Sequence, residues 1–185
     1  MPNETNRRVD LPADVFAEEA GKTRAPKRLG PTPTIDPSQI ASRWRARVFN
    51  SAGQTLVSGT PLDVTWDSES FDPQGMHDPA VNPSRITIPT VGKVSGAWKV
   101  IGVAQVTAGA NAGVLTAELR RDGVVFATFI RAFLAAESFT VLLSDFVSDP
   151  TPGSFFQLRL SQGSGASCTV AGGSNNSYLT VLHSW

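Results

Sequence analysis

From Trp44 onward, apolar and polar residues alternate along the chain with a period of two. In "TPLDVTWD", Leu62, Val64 and Trp66 fall on one face and Asp63, Thr65 and Asp67 on the other, the pattern of a half-buried strand. "RWRARVFN" and "SRITIP" alternate in the same way, and "GAWKVIGVAQVTA" is long and apolar enough for a central strand. "GVLTAELRRDGVVFATFIRAFLA" carries a hairpin signal, Arg121-Asp122-Gly123, between two strand-like runs. "ESFTVLLSDFV", "FFQLRLSQ" and "NSYLTVLHSW" complete the series. The segment "FIRAFLAAES" also fits a 3.6-residue period, but strand-like runs on both sides favour strand. About ten short strands separated by turn signals predict an all-β sandwich or barrel.

Residues 1–42 break this pattern. Six prolines stand there among few large apolar residues, too few to form a core. One short helix is expected, with Asp10 as cap, Pro12 in the first turn, "ADVFAEEA" as body and Gly21 as stop. "RAPKRLGPTPTIDP" reads as extended, polyproline-like chain. The expected organisation is an arm, residues 1–42, and a folded domain, residues 43–185. The arm reads either as a disordered tail or as a segment that orders on a partner. In the second case Val15, Phe16, Arg24, Lys27, Arg28 and Leu29 are the anchoring candidates.

Sixteen basic and sixteen acidic residues cancel, which gives no argument for nucleic acid or an anionic membrane. Residues 1–47 carry nine Lys/Arg against six Asp/Glu, so a mildly basic arm could lie on an acidic neighbour. A single cysteine, Cys168, excludes an intrachain disulfide and reads as a small core residue. No apolar run reaches the length of a membrane span, and no signal-peptide pattern opens the sequence, so a soluble chain made in a cytoplasm is expected. There is no Gly-x-Ser-x-Gly elbow and no phosphate loop; the glycine-rich stretches 163–167 and 171–177 read as loop tips. No catalytic residue is assigned.

"WDSESFDPQGMHDPAVNPSRITIP", residues 66–89, concentrates acids, amides, prolines and one of two histidines. Asp72, His77 and Asp78 are weak metal candidates: carboxylates suit calcium and the imidazole a transition metal. Two carboxylates and one imidazole fall short of a complete site, so no cofactor is expected.

The strands taken together, with Arg47-Val48-Phe49-Asn50, Val64-Thr65-Trp66-Asp67, "FDPQGMHD" (71–78), "SRITIP" (84–89) and Gly96-Ala97-Trp98, resemble the jelly roll of complement globular heads and tumour-necrosis-factor-like proteins, most closely as found in bacteriophage structural proteins. "TAELRRDG", "GSFFQLRLSQGSG" and "SYLTVLHSW" extend the likeness over about residues 44–185. Two departures are Trp98 in place of a tyrosine and Ser154 in place of an aspartate. The resemblance implies a ten-stranded jelly-roll sandwich behind an extended N-terminal arm, with residues 66–89 as a connection of that fold. It also implies a homotrimer. Phe155 and Phe156 are neighbours in a strand, so one ring faces away from the core and needs a second apolar surface. With Trp98, Tyr178 and Trp185 they are the interface candidates. The implied role is a non-enzymatic virion protein, a minor tail or tail-tip knob. Its partners would be other virion proteins, through residues 1–42, and a host-surface glycan or protein. Glu69, Gln74, Asn175 and Asn176 are the host-contact candidates. Two other roles stay open: a capsid decoration protein or head fibre, and a sugar-binding lectin-like trimer.

Overall fold

The computed structural model describes residues 44–90 and 96–184. The expected arm, its helix, its anchoring residues, the 42/43 boundary and Trp185 lie outside them. Among the described residues the regular structure is β throughout, in two antiparallel sheets.

The first sheet centres on β6 (Ala97–Thr107), the long apolar run of the sequence. Along one edge β6 pairs with β9 (Ser138–Ser148) over its whole length. Along the other it pairs first with β12 (Tyr178–Ser184) and then with β11 (Cys168–Val170). β1 (Arg45–Phe49) lies beyond β12, β4 (Ser68–Phe71) beyond β1, and β2 (Gln54–Leu56) beyond β11. The second sheet runs β8 (Val124–Phe133), β7 (Gly113–Arg121), β10 (Phe155–Gln162). The far edge of β10 is shared by β3 (Leu62–Asp63) and β5 (Ile86–Thr87).

Among the described residues twelve strands stand where about ten were expected. The difference comes from short pieces. "TPLDVTWD" keeps ladder pairing only at Leu62 and Asp63; Val64 and Trp66 then donate their amides to the carbonyls of Leu158 and Pro83. The residues of β4 lie inside the stretch read as a connection.

The alternating pattern delivers the core. β6 turns Trp98, Val100, Ala104 and Val106 inward, against Leu115, Ala117 and Leu119 of β7 and Phe156, Leu158 and Leu160 of β10. At Gly102 the sheets approach so closely that a Cβ would lie 2.8 Å from Leu119 Cδ2 and 3.2 Å from Leu158 Cδ1. The hairpin predicted at Arg121-Asp122-Gly123 joins β7 to β8, with φ of 52° at Asp122 and 81° at Gly123, the two positive values that tight hairpin turns require. "FIRAFLAAES" forms the end of β8, a turn and the start of β9, not a helix.

Residues 72–85 cross from β4, on the edge of the first sheet, to β5, on the edge of the second. They close one side of the sandwich over Trp66, Met76, Ile86 and Ile88, all buried. The other side is formed by two long edge strands, β8 and β9. The sandwich also has two distinct ends. The chain enters at Trp44, whose carbonyl accepts the His183 amide, and the connections 121–123 and 149–154 lie at this entry end. The turns 108–112, 134–137, 163–167 and 171–177 lie at the far end.

Gly102→Val is expected to cost about 3 kcal/mol by overpacking the sheet–sheet contact. Urea unfolding should show a lower midpoint at unchanged slope; an unchanged midpoint would mean that the closest approach of the sheets does not constrain the core.

Candidate functional site: the open edge and the two ends of the sandwich

The stretch 66–89 is braced by its own polar groups. His77 is buried, with Nδ1 2.7 Å from the Arg85 carbonyl oxygen and Nε2 3.1 Å from that of Trp66. Both ring nitrogens therefore face main chain on the two sides of the crossing. Asp72 Oδ2 accepts the His77 amide, and Asp78 Oδ1 accepts the amides of Ala80 and Val81. Among the described residues no three His, Cys, Asp or Glu side chains converge as a metal set would. These three are placed as hydrogen-bonding struts of the connection. Asp67, just ahead of it, accepts from the Ser51 amide and hydroxyl at 2.7 Å each. Partial burial works against its carboxylate, but the hydrogen bonds from Ser51 and Ser68 outweigh that and hold its pKa below the usual value.

The interface candidates separate. Trp98 and Phe156 are fully buried inside the chain, Trp98 beside the His183 ring and Phe156 edge-on to Phe126, so neither has a face left for a neighbour. The sequence argument that one of the two adjacent phenylalanines must face outward holds for Phe155. Its half-buried ring is covered by the Arg85 guanidinium, 3.9 Å from the ring centroid. Tyr178 lies half-buried on the outer face of the first sheet, under the Arg47 guanidinium at 3.8 Å. Ser154, the departure from the family pattern, donates its hydroxyl to Asp122 Oδ2, while Asp122 Oδ1 accepts the Phe155 amide. The turn is thus held by the hairpin aspartate instead.

The surface the sequence reading missed is the open edge. β9 alternates, with Phe139, Val141 and Leu143 inward, but Leu142 is 61% and Phe146 59% exposed. On β8 and just beyond it, Ile130 is 66% and Leu134 72% exposed. The signal lay in "TVLLSDF": three consecutive apolar residues cannot all face one core in a strand. Asp145 occupies an inward-phase position between Leu143 and Val147 yet is exposed, a charge on the edge strand that discourages strand-on-strand pairing there. Beside this edge, the outer face of the first sheet presents half-buried Phe49, Ile101 and Leu182 together with Arg45, Arg47 and Lys99. A cavity of about 260 Å³ opens there between Trp44, Lys99, Phe146 and Leu182.

The four host-contact candidates do not form one surface. Asn175 and Asn176 sit in the far-end turn 171–177, where Asn176 Nδ2 donates to the Gly172 carbonyl and Asn175 is exposed. Glu69 is mid-strand on β4, and Gln74 is at the entry end, accepting the Arg45 amide.

No protein-family model matches the chain, and no curated protein matches it. Solved structures do. The globular domain of zebrafish complement 1qA is 11% identical with a TM-score of 0.53, covering 77% of this chain and 98% of that one. Murine APRIL is 6% identical in its pH 5.0 structure, TM-score 0.55, and 7% identical in its pH 8.0 structure, TM-score 0.54; each covers 77% of this chain and 99% of that one. At such identities the likeness is one of fold: the chain has the complement-head and tumour-necrosis-factor-like jelly roll. These neighbours carry the jelly-roll half of the resemblance and say nothing of a phage particle.

Phe156→Asp places an unpaired carboxylate in the core and is expected to abolish cooperative unfolding, a loss above about 4 kcal/mol. Phe155→Asp, facing solvent beside Arg85, should stay folded. A folded Phe156→Asp protein by circular dichroism would contradict the placement of the two rings.

Proposed function

We propose that the chain is a non-enzymatic, homotrimeric knob of a bacteriophage virion, held to the particle by residues 1–42 and positioned at the tail tip for contact with a host surface. The observation that carries the assembly is the unequal pair of sandwich sides. One side is sealed by residues 72–85. The other leaves Leu142, Phe146, Ile130 and Leu134 in water at two long strand edges. Leu142 and Phe146 share the outward face of β9, and exposed large apolar side chains grouped on an open edge mark an interaction surface. Its counterpart is the rest of the first sheet's outer face, with Phe49, Ile101, Tyr178 and Leu182, which adjoins Phe146 across Lys99. An edge that packs on another copy's sheet face makes a heterologous contact, and three such contacts close a ring. Trimerisation is also what the family resemblance implies.

The non-enzymatic reading is supported by how the reactive side chains are used. Cys168 is buried in the sheet, and both nitrogens of His77 serve the connection. The virion role rests on the sequence resemblance to phage structural proteins. Trp44 lies at one end of the sandwich, and the proposal turns the opposite end outward.

Light scattering of the purified protein should give the mass of three chains. Leu142→Asp combined with Phe146→Asp, both on the solvent face of β9, should give folded monomers. A wild-type monomer at tens of micromolar, or an unchanged trimer in the double variant, would overturn the assembly.

Deletion of residues 1–42 should leave a folded trimer that no longer joins particles in complementation. Normal incorporation of the truncated chain would remove the anchoring role.

A further inference from the structure

The turns at the far end of the jelly roll hold few charges of their own, although Asp67 bonds to Ser51 there. The turns 50–53, 57–61, 108–112, 134–137, 163–167 and 171–177, at the far end, contain a single Asp, Glu, Lys or Arg, Glu137, and it is ion-paired to Arg131. The entry-end connections carry Asp72, His77, Asp78, Arg85, Arg121, Asp122 and Asp149. The far end is otherwise glycine, alanine, serine, threonine and asparagine, with Val57, Pro61 and Leu134.

A groove of about 390 Å³ opens on the outer face of the second sheet at this end, between Gly59, Pro61, Val114, Thr116, Ser161 and Gly163. Its volume lies within the range of small-molecule sites. Thr116 and Ser161 face each other as register partners on β7 and β10. Among the described residues neither hydroxyl has a protein partner, so both are available to a ligand. Val114 and Pro61 are exposed and supply apolar walls.

The groove is fixed from behind. Gln162, a buried side chain, donates to the Ala166 carbonyl at 2.7 Å and accepts the Ser164 amide at 2.7 Å. The Gly59 amide donates to the Gln162 carbonyl, and the Gly163 amide to that of Val114. One step along the same face, charge returns and is consumed internally. Arg159 grips Asp63 with two hydrogen bonds of 2.6 and 2.7 Å, and Glu118 lies 3.7 Å from Arg120.

We propose that this groove binds a neutral saccharide chain. Two free hydroxyls on adjacent strands match the hydroxyls of a sugar. Val114 and Pro61 match the C–H face of its ring. The groove lining carries no charged side chain, which gives little attraction to an anionic polymer and leaves the binding insensitive to salt. A concave, preformed site with a few convergent polar groups is the form such recognition takes. The proposal rests on the reading of the protein as a knob that contacts a host surface, and names the chemistry of that contact.

The test is affinity electrophoresis of the full-length protein in native gels containing dextran, mannan or arabinogalactan, with heparin as the anionic comparator, at low and high salt. The expected result is retardation by at least one neutral polymer, equal at both salt levels. Val114→Trp, which fills the groove, and Thr116→Arg, which charges it, should each weaken the retarding interaction about tenfold or more. Their melting and mass should match wild type; if one variant fails to fold, the other decides. Three outcomes overturn the proposal: no retardation by any neutral polymer, retardation by heparin alone that salt removes, or full retardation of the folded groove variants. A trimer that binds no neutral polymer overturns the groove and leaves the knob standing. A monomer that binds one does the reverse.

Discussion

Where Gly102 passes under Leu119 and Leu158, the leucine methyls fill the space that a Cβ would occupy. The contact sets the spacing of the sandwich at its middle, and the larger residues are distributed around it. Trp98 fills the space toward the entry end and Val106 the space toward the far end. Because interiors pack at nearly crystalline density, this spacing leaves little freedom in how β6 lies on β7 and β10. The register of β6 with β9 and β12 then fixes which residues of those neighbours point outward. Leu142, Phe146 and Tyr178 are on the surface because Trp98, Val100 and Val106 are not.

The sides of the sandwich follow from how the chain crosses between sheets. Residues 72–85 make the crossing on one side, braced by their own side chains: His77 spans two carbonyls, while Asp72 Oδ2 and Asp78 Oδ1 accept amides. The β8–β9 turn makes the crossing on the other side, at the far end only, so the edges of both strands stay open along their length. Asp145 discourages a further strand from pairing there, while Leu142 and Phe146 leave side-chain packing as the means of covering the edge.

The charge distribution divides the molecule along its length. At the entry end, cations lie over aromatic rings and carboxylates hold turns, as with Arg85 on Phe155 and Asp122 on Ser154. At the far end serine, asparagine and glutamine side chains bonded to main chain hold most of the turns, as with Gln162 and Asn176, joined by Glu137 on the Leu134 amide and Asp67 on Ser51.

The sequence by itself determined the class of fold, the positions of the long strands and the Asp122–Gly123 hairpin, because period-two alternation and turn chemistry are local properties. It read residues 66–89 as a connection, which holds for 72–85 between β4 and β5, and marked Phe155–Phe156 as a pair with one ring outside. Which ring, and against what, was decided by the register of β10 with β5 and β7, a contact between residues about seventy and thirty-five positions apart. The same holds for Trp98, whose size suggested an interface and whose position in the central strand put it in the core. The open edge left a trace in Val141-Leu142-Leu143, but its meaning required knowing that β9 ends its sheet. The groove left none. Thr116 and Ser161 are ordinary hydroxyl residues until the pairing of β7 with β10 sets them opposite one another, and no property of either strand alone encodes that meeting.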